Sequence, residues 1–93
     1  MVILKAFSVR DSASLVFDRP FFQRTNAEAI RSFTGICERD DTMIGQHPKD
    51  FSLYYVGTFD DNTGEFKGDD RFVLTTGLEC VSVSDSVSAG GTE

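Results

Sequence analysis

The histidine and carboxylates between His47 and Asp61 are the residues best suited to catalysis or metal binding. The segment HPKDFSLYYVGTFDDNTGEF carries His47, Asp50, Asp60 and Asp61 around a strand-like run. Histidine and carboxylates are common general acids and bases and common ligands of divalent ions. A zinc site requires several nitrogen or sulfur ligands, and the chain has one histidine. We therefore expect no metal here, and predict that these residues begin a strand and form its turn.

Motifs typical of enzymes are absent from the sequence. It contains no GxSxG, no Walker A loop, no GxGxxG and no nucleophile beside His47. Cys37 and Cys80 belong to no CxxC pair, so we expect free, buried thiols. The sequence predicts a non-enzymatic protein without a cofactor.

A second set of residues suits the binding of single-stranded nucleic acid. In VFDRPFFQRTNAEAIR, arginines are interleaved with phenylalanines. Aromatic rings stack on unpaired bases, while Arg and Lys contact phosphates. The alternative is that Phe21 or Phe22 anchors this segment in the core and the arginines are only solvated. The predicted nucleic-acid-binding residues are Lys5, Arg10, Arg19, Phe22, Arg24, Arg31 and Tyr54.

The net charge limits how such a surface could work. A formal charge of −6 argues against general nucleic-acid binding, because phosphate contacts normally come from Lys and Arg. The charge is uneven, however. Residues 1–39 hold six basic and four acidic residues, whereas residues 40–93 hold three basic and eleven acidic ones. This asymmetry is compatible with a local basic face on an acidic protein.

Length and hydropathy predict one small domain outside the membrane. Ninety-three residues allow one modest core, which would gain from self-association, so a homodimer stays open. No apolar run approaches the ~20 residues of a membrane span, and the two unpaired cysteines favour a reducing cytoplasm. We predict a domain over residues 1–81 and a disordered, Ser/Gly-rich acidic tail over residues 82–93.

The predicted fold is α+β, with the element order β-β-α-β-β and one helix packed across a small antiparallel sheet of four to five strands. Residues 2–10 and 14–18 predict the first two strands, and Pro20 makes the following PFFQR an edge or a connector. Thr25 and Glu28 fit a helix capping box. The helix stripe expected to pack on the sheet comprises Ile30, Phe33 and Cys37, with Ala27 and Thr34 alongside.

The second half of the chain predicts the rest of the sheet. The strongest strand runs from Phe51 to Phe59, and DDNTG predicts a hairpin turn in which Gly64 takes positive φ. KGDD predicts a second turn, after which RFVLTT and LECVSV predict closing strands. Alternation along the strongest strand places Tyr54 and Val56 on one face and, on the other, Phe51, Leu53, Tyr55 and Phe59.

Three segments of the chain together resemble a phage family. RPFF, AEAIRSF and HPKDFSLYYVGTFDDNTG, in this order and spacing, are similar to the small nonstructural protein of gokushoviruses, microvirus-group phages with circular single-stranded DNA genomes. The likeness runs from about Lys5 to Gly64. It rests on Asp11, Pro20, Phe21, Phe22, Ala29, Ile30, Arg31, Phe33, His47, Pro48, Asp50, Leu53, Gly57, Phe59, Asp60, Asp61 and Gly64.

The resemblance implies a non-virion protein that is made in the cytoplasm of the infected bacterium and binds DNA or directs replication. We accordingly predict that the protein binds single-stranded DNA and biases viral replication toward single-stranded genome synthesis, with viral replication or packaging proteins as partners. The alternative is a non-enzymatic interaction protein. It would bind the viral replication initiator, a capsid or scaffold component, or a host factor through an exposed strand edge or its acidic surface.

Overall fold

An antiparallel sheet of five strands, with helices beside it, forms the fold, so the predicted α+β class is confirmed. The computed structural model describes residues 3–81, and the predicted disordered tail, residues 82–93, lies outside the described residues. The strands are β1 (Ile3–Asp11), β2 (Val16–Phe17), β3 (Phe21–Gln23), β4 (Phe51–Asp60) and β5 (Phe66–Thr76). The helical elements are α1 (Asn26–Cys37), α2 (Met43–Gln46), a 3₁₀ turn (Pro48–Asp50) and a helical segment over residues 77–81.

β1 lies in the interior of the sheet, as its apolar residues on both faces predict. The strand order is β2-β1-β4-β5, and β3 also pairs with β1. β4 bonds to one edge of β1 along its whole length, while β2 and β3 share the other edge. The segment after Pro20 is therefore a short edge strand, one of the two alternatives that the proline predicts.

α1 begins and packs largely as predicted. The Thr25 hydroxyl accepts a hydrogen bond from the Glu28 N–H, and the Glu28 carboxylate accepts one from the Thr25 N–H, both at 3.1 Å. This is the predicted capping box. Phe33 and Cys37 are buried, but Ala27 is exposed and Ala29 is buried instead. The buried stripe of α1 therefore consists of Ala29, Phe33 and Cys37, spaced four residues apart. Ala27, in the first turn, is not part of it.

The core lies between α1 and one face of the sheet. The sheet contributes Phe7, Val9, Phe51 and Leu53 to it. Both cysteines are free and buried, as predicted. Burial, followed by the neighbouring Cys80, raises the pKa of the Cys37 thiol to about 12. This thiol therefore stays protonated at neutral pH and is a poor nucleophile.

A bulge in β4 changes which residues share a face. Ala6 pairs with Gly57 and Phe7 with Tyr55, so Val56 has no partner on β1. One inserted residue reverses the alternation beyond it. Phe59 therefore lies on the opposite face from Tyr55, and the prediction that these two residues share a face is wrong.

Two predicted elements near the C-terminus are also wrong. KGDD is not a turn, because β5 runs without interruption from Phe66 to Thr76. Residues 69–71 form an irregular stretch of this strand opposite Val56, where the pairing register shifts. The start of LECVSV is not a strand, because residues 77–81 are helical. The Thr76 hydroxyl accepts a hydrogen bond from the Glu79 N–H at 3.2 Å. TGLE thus has the spacing of a second capping box and starts a helix.

Candidate nucleic-acid interface

The face of the sheet turned away from α1 carries most of the aromatic rings not used in the core. In β1, Phe7 and Val9 pack under α1, so Ser8 and Arg10 point to the other side. We call this side the open face. Pairing across the strands places five rings on it: Phe17, Phe22, Tyr54, Phe59 and Phe66.

Two arginines and two rings form a cluster at one end of the open face. Phe17 is the partner of Arg10 across the β1–β2 pair. Its ring meets that of Tyr54 edge to face, with centroids 5.1 Å apart and planes at 76°. The guanidinium carbons of Arg10 and Arg71 lie 5.9 Å and 5.6 Å from the Phe17 centroid. Both distances are within the range of cation–π attraction. We call these four residues the arginine–aromatic cluster.

Three phenylalanines form a second cluster on the same face. The Phe22 ring lies 5.3 Å from that of Phe59 and 6.2 Å from that of Phe66. Phe22 is 39% exposed and Phe66 48% exposed, so both keep ring surface free to stack on a ligand. Phe59 and Tyr54 are five residues apart on β4, which separates this phenylalanine cluster from the arginine–aromatic cluster by about 15 Å.

A hydrogen bond from Tyr55 fixes the carboxylate of Asp69 on β5, the last strand in the sheet order. The Tyr55 hydroxyl donates a 2.6 Å hydrogen bond to Asp69 Oδ2. Tyr55 lies on the face of the sheet that packs against α1, where its ring contacts those of Phe7 and Phe72. Asp69 and Asp70 line a shallow pocket together with Tyr54 and Arg71, so the arginine–aromatic cluster has acidic neighbours on β5. Arg39 forms an ion pair with Asp41 at 2.7 Å, and the described residues show no ion pair at Arg10 or Arg71.

Removing the Asp69 charge is expected to lower the pKa of Tyr55. The hydrogen bond to Asp69, followed by burial, raises the pKa of Tyr55 to about 12, from an ordinary value of about 10. The bond stabilises the fold fully below pH ~10, and this contribution is lost as the pH rises through about 12. In Asp69→Asn, ring ¹³C NMR should place the Tyr55 titration nearer to pH 10. Asp70→Asn is the control, and an unchanged pKa in Asp69→Asn would contradict the assigned cause.

The structure brings only some of the predicted binding residues to the open face. Arg10, Phe22 and Tyr54 lie there. Lys5 points to the helix side, where its Nζ donates to Asn26 Oδ1 at 3.5 Å. Arg31 lies on the exposed surface of α1, on that same side of the sheet. Arg19 and Arg24 are exposed in the segments before and after β3.

Four residues of the open face were not among the predicted site residues: Phe17, Phe59, Phe66 and Arg71. Phe59 was assigned to the wrong face, because the β4 bulge leaves no mark in the alternation of residue types. Arg71 was placed after a turn that does not exist. Phe17 lies in the predicted segment VFDRPFF, but the residue types of that segment do not reveal its strand register.

The carboxylates near His47 do not converge with those of the hairpin turn. His47 and Asp50 precede β4, whereas Asp60 is its last residue and Asp61 follows it. The ends of a ten-residue strand lie about 30 Å apart. Asp60 Oδ1 accepts hydrogen bonds from the Asn62 and Thr63 N–H groups. Together with the positive φ of Gly64 (77°), these bonds confirm the predicted turn.

Over residues 3–81, no group of three or more His, Cys, Asp or Glu side chains is placed to hold a metal ion. Within this range no helix has the length and apolarity needed to cross a membrane.

Fold and surface together define a small α+β protein in which the sheet face turned away from α1 combines aromatic rings with arginines. Residues 4–80 match the family described as phage ORF5 protein. The match spans most of the chain, so the protein belongs to this family and is a phage protein. No curated protein and no solved structure matches it.

Proposed function

We propose that this phage protein binds single-stranded DNA on its open face and thereby biases viral replication toward single-stranded genome synthesis. It acts without catalysis, in the cytoplasm of the infected bacterium, and its likeness to the gokushovirus nonstructural protein supports this role. The observation that carries the proposal is the convergence of the Arg10 and Arg71 guanidinium groups on the Phe17 ring beside Tyr54.

The chemistry of the open face favours unpaired bases. Exposed rings on a sheet can stack on base faces, which are free in a single strand and covered in a duplex. The arginine–aromatic cluster and the phenylalanine cluster, about 15 Å apart along β4, offer two stacking positions for one strand. Arg10 and Arg71 would contact phosphates between or beside the stacked bases.

The acidic net charge is compatible with binding at one face. Two phosphate contacts are few, so affinity rests mainly on stacking. For single strands, each phosphate neutralised contributes about −0.7 to the slope of log K against log salt concentration. Two arginines thus predict a slope of about −1.4. A homodimer would add a second open face and raise the apparent affinity for a long strand.

Fluorescence anisotropy with a labelled oligothymidylate of about 15 nucleotides, within the usual range of site sizes, tests the proposal. We expect saturable binding at low salt, weaker binding of a duplex, and a slope reduced by about 0.7 in Arg71→Gln. Arg31→Gln, a change on α1, should leave the slope unchanged. Absence of binding at tens of micromolar protein in low salt, or equal slopes in the two variants, would contradict the proposal.

A further inference from the structure

A cleft lies between β2 and α2, at the edge of the sheet, and shares Phe17 with the arginine–aromatic cluster. Its volume is about 390 Å³, within the range of about 300–1,000 Å³ of ligand pockets. Met43 and Val16 are 66% and 55% exposed at its mouth. The apolar residues that line it are Val9, Val16, Phe17, Met43, Ile44 and Phe51.

Hydrogen bonds fix both walls of the cleft. On one side, the Ser12 N–H and hydroxyl both donate to the Asp50 carbonyl, at 2.8 Å and 3.1 Å, and tie the β1–β2 turn to the start of β4. On the other, the Thr42 hydroxyl accepts from the Gly45 N–H at 2.9 Å and donates to the Arg39 carbonyl at 3.0 Å. The cleft is therefore formed before any ligand binds, which lowers the entropic cost of binding.

The charged residues lining the cleft are both acidic. Asp11 and Asp18 line it, and no Lys or Arg does so within the described chain. Asp11 accepts hydrogen bonds from the Ser14 hydroxyl and the Ala13 N–H, both at 2.9 Å. These bonds lower the pKa of Asp11 and keep it ionised at neutral pH. These two carboxylates favour a cationic over an anionic ligand inside the cleft.

We propose that the cleft binds a basic segment of a partner protein, with one large apolar side chain inserted between Met43 and Val16 and with Lys or Arg side chains beside Asp11 and Asp18. Charge complementarity selects this occupant over an acidic or purely apolar peptide. Basic segments are common in proteins that contact nucleic acid. Through the cleft, this phage protein would recruit or mask such a partner. The phenylalanine cluster, which shares no residue with the cleft, would stay available.

The test uses the full chain labelled with ¹⁵N and two synthetic peptides with identical leucines, spaced by lysines in one and by glutamates in the other. We expect the lysine peptide to shift the amide signals of Val16, Met43 and Ile44, and the glutamate peptide to leave them unchanged. Met43→Lys should weaken binding of the lysine peptide by about tenfold or more, as expected for the loss of one apolar anchor.

Leu78→Lys is the matched control. It replaces an apolar residue that is 55% exposed outside the cleft, and it changes the net charge equally. Equal weakening by both variants would show general attraction to an acidic chain and overturn the proposal. Binding of both peptides, signal shifts confined to the open face, or no shifts at millimolar peptide would also overturn it.

Discussion

Tyr54→Ala is expected to weaken the binding of single-stranded DNA by about 5- to 150-fold, the equivalent of the ~1–3 kcal/mol that one stacked base contributes. Tyr54 is half-buried and supports the Phe17 ring at 5.1 Å. Its removal thus deletes one stacking surface and loosens the ring to which both arginines are attracted. Anisotropy titration of a labelled oligothymidylate at low salt measures the change.

Phe72→Ala is the matched control for Tyr54→Ala. Phe72 is 48% exposed on the helix side of β5, where its ring lies 5.0 Å from that of Tyr55. Its removal deletes an aromatic ring of the same sheet without touching the open face, so DNA affinity should change less than twofold. A loss in Phe72→Ala as large as that in Tyr54→Ala would show that the effect arises from general loosening of the sheet.

The largest expected loss of stability follows from Phe33→Ala. Phe33 is 1% exposed, and it packs α1 against the β1 and β4 side chains of the core. Truncation of a buried phenylalanine costs about 3–5 kcal/mol, because apolar burial is lost and a cavity remains. Total stabilities of small domains are about 5–15 kcal/mol. Urea unfolding followed by circular dichroism should therefore show a much lower midpoint.

Ile36→Ala provides the comparison on the same helix. Ile36 is 37% exposed, so its truncation should cost far less than that of Phe33. Similar losses of unfolding free energy in the two variants would contradict the placement of the core on the Ala29, Phe33 and Cys37 side of α1.

The sequence is informative about the fold wherever the signals are local. The capping box at Thr25, the edge position after Pro20 and the turn at Gly64 each depend on a few neighbouring residues. The faces of β4 and the course of β5 depend instead on bulges, which arise from pairing between strands. At Gly57, for example, an added Cβ would collide with the Lys67 carbonyl oxygen on the neighbouring strand. This restriction on the size of residue 57 becomes visible only when the pairing of β4 with β5 is known.

The candidate interface was predictable in kind but only partly in its residues. Arginine and phenylalanine interleaved before α1 indicate stacking and phosphate contacts, and Arg10, Phe22 and Tyr54 are on the open face. Lys5 and Arg31 are on the other side of the sheet. These two residues were grouped with the other basic residues because they are close in sequence. In the structure, strand alternation places Lys5, and the position of α1 places Arg31, on the side away from the open face.

Mapping the DNA contact by NMR tests the central claim most directly. In a titration of ¹⁵N-labelled protein with oligothymidylate at low salt, we expect the largest shifts at Arg10, Phe17, Tyr54 and Arg71, with further shifts at Phe66. The amide signals of α1 should change little. Shifts concentrated on α1 and around Lys5, or no shifts at saturating oligonucleotide, would contradict the claim that the open face binds single-stranded DNA.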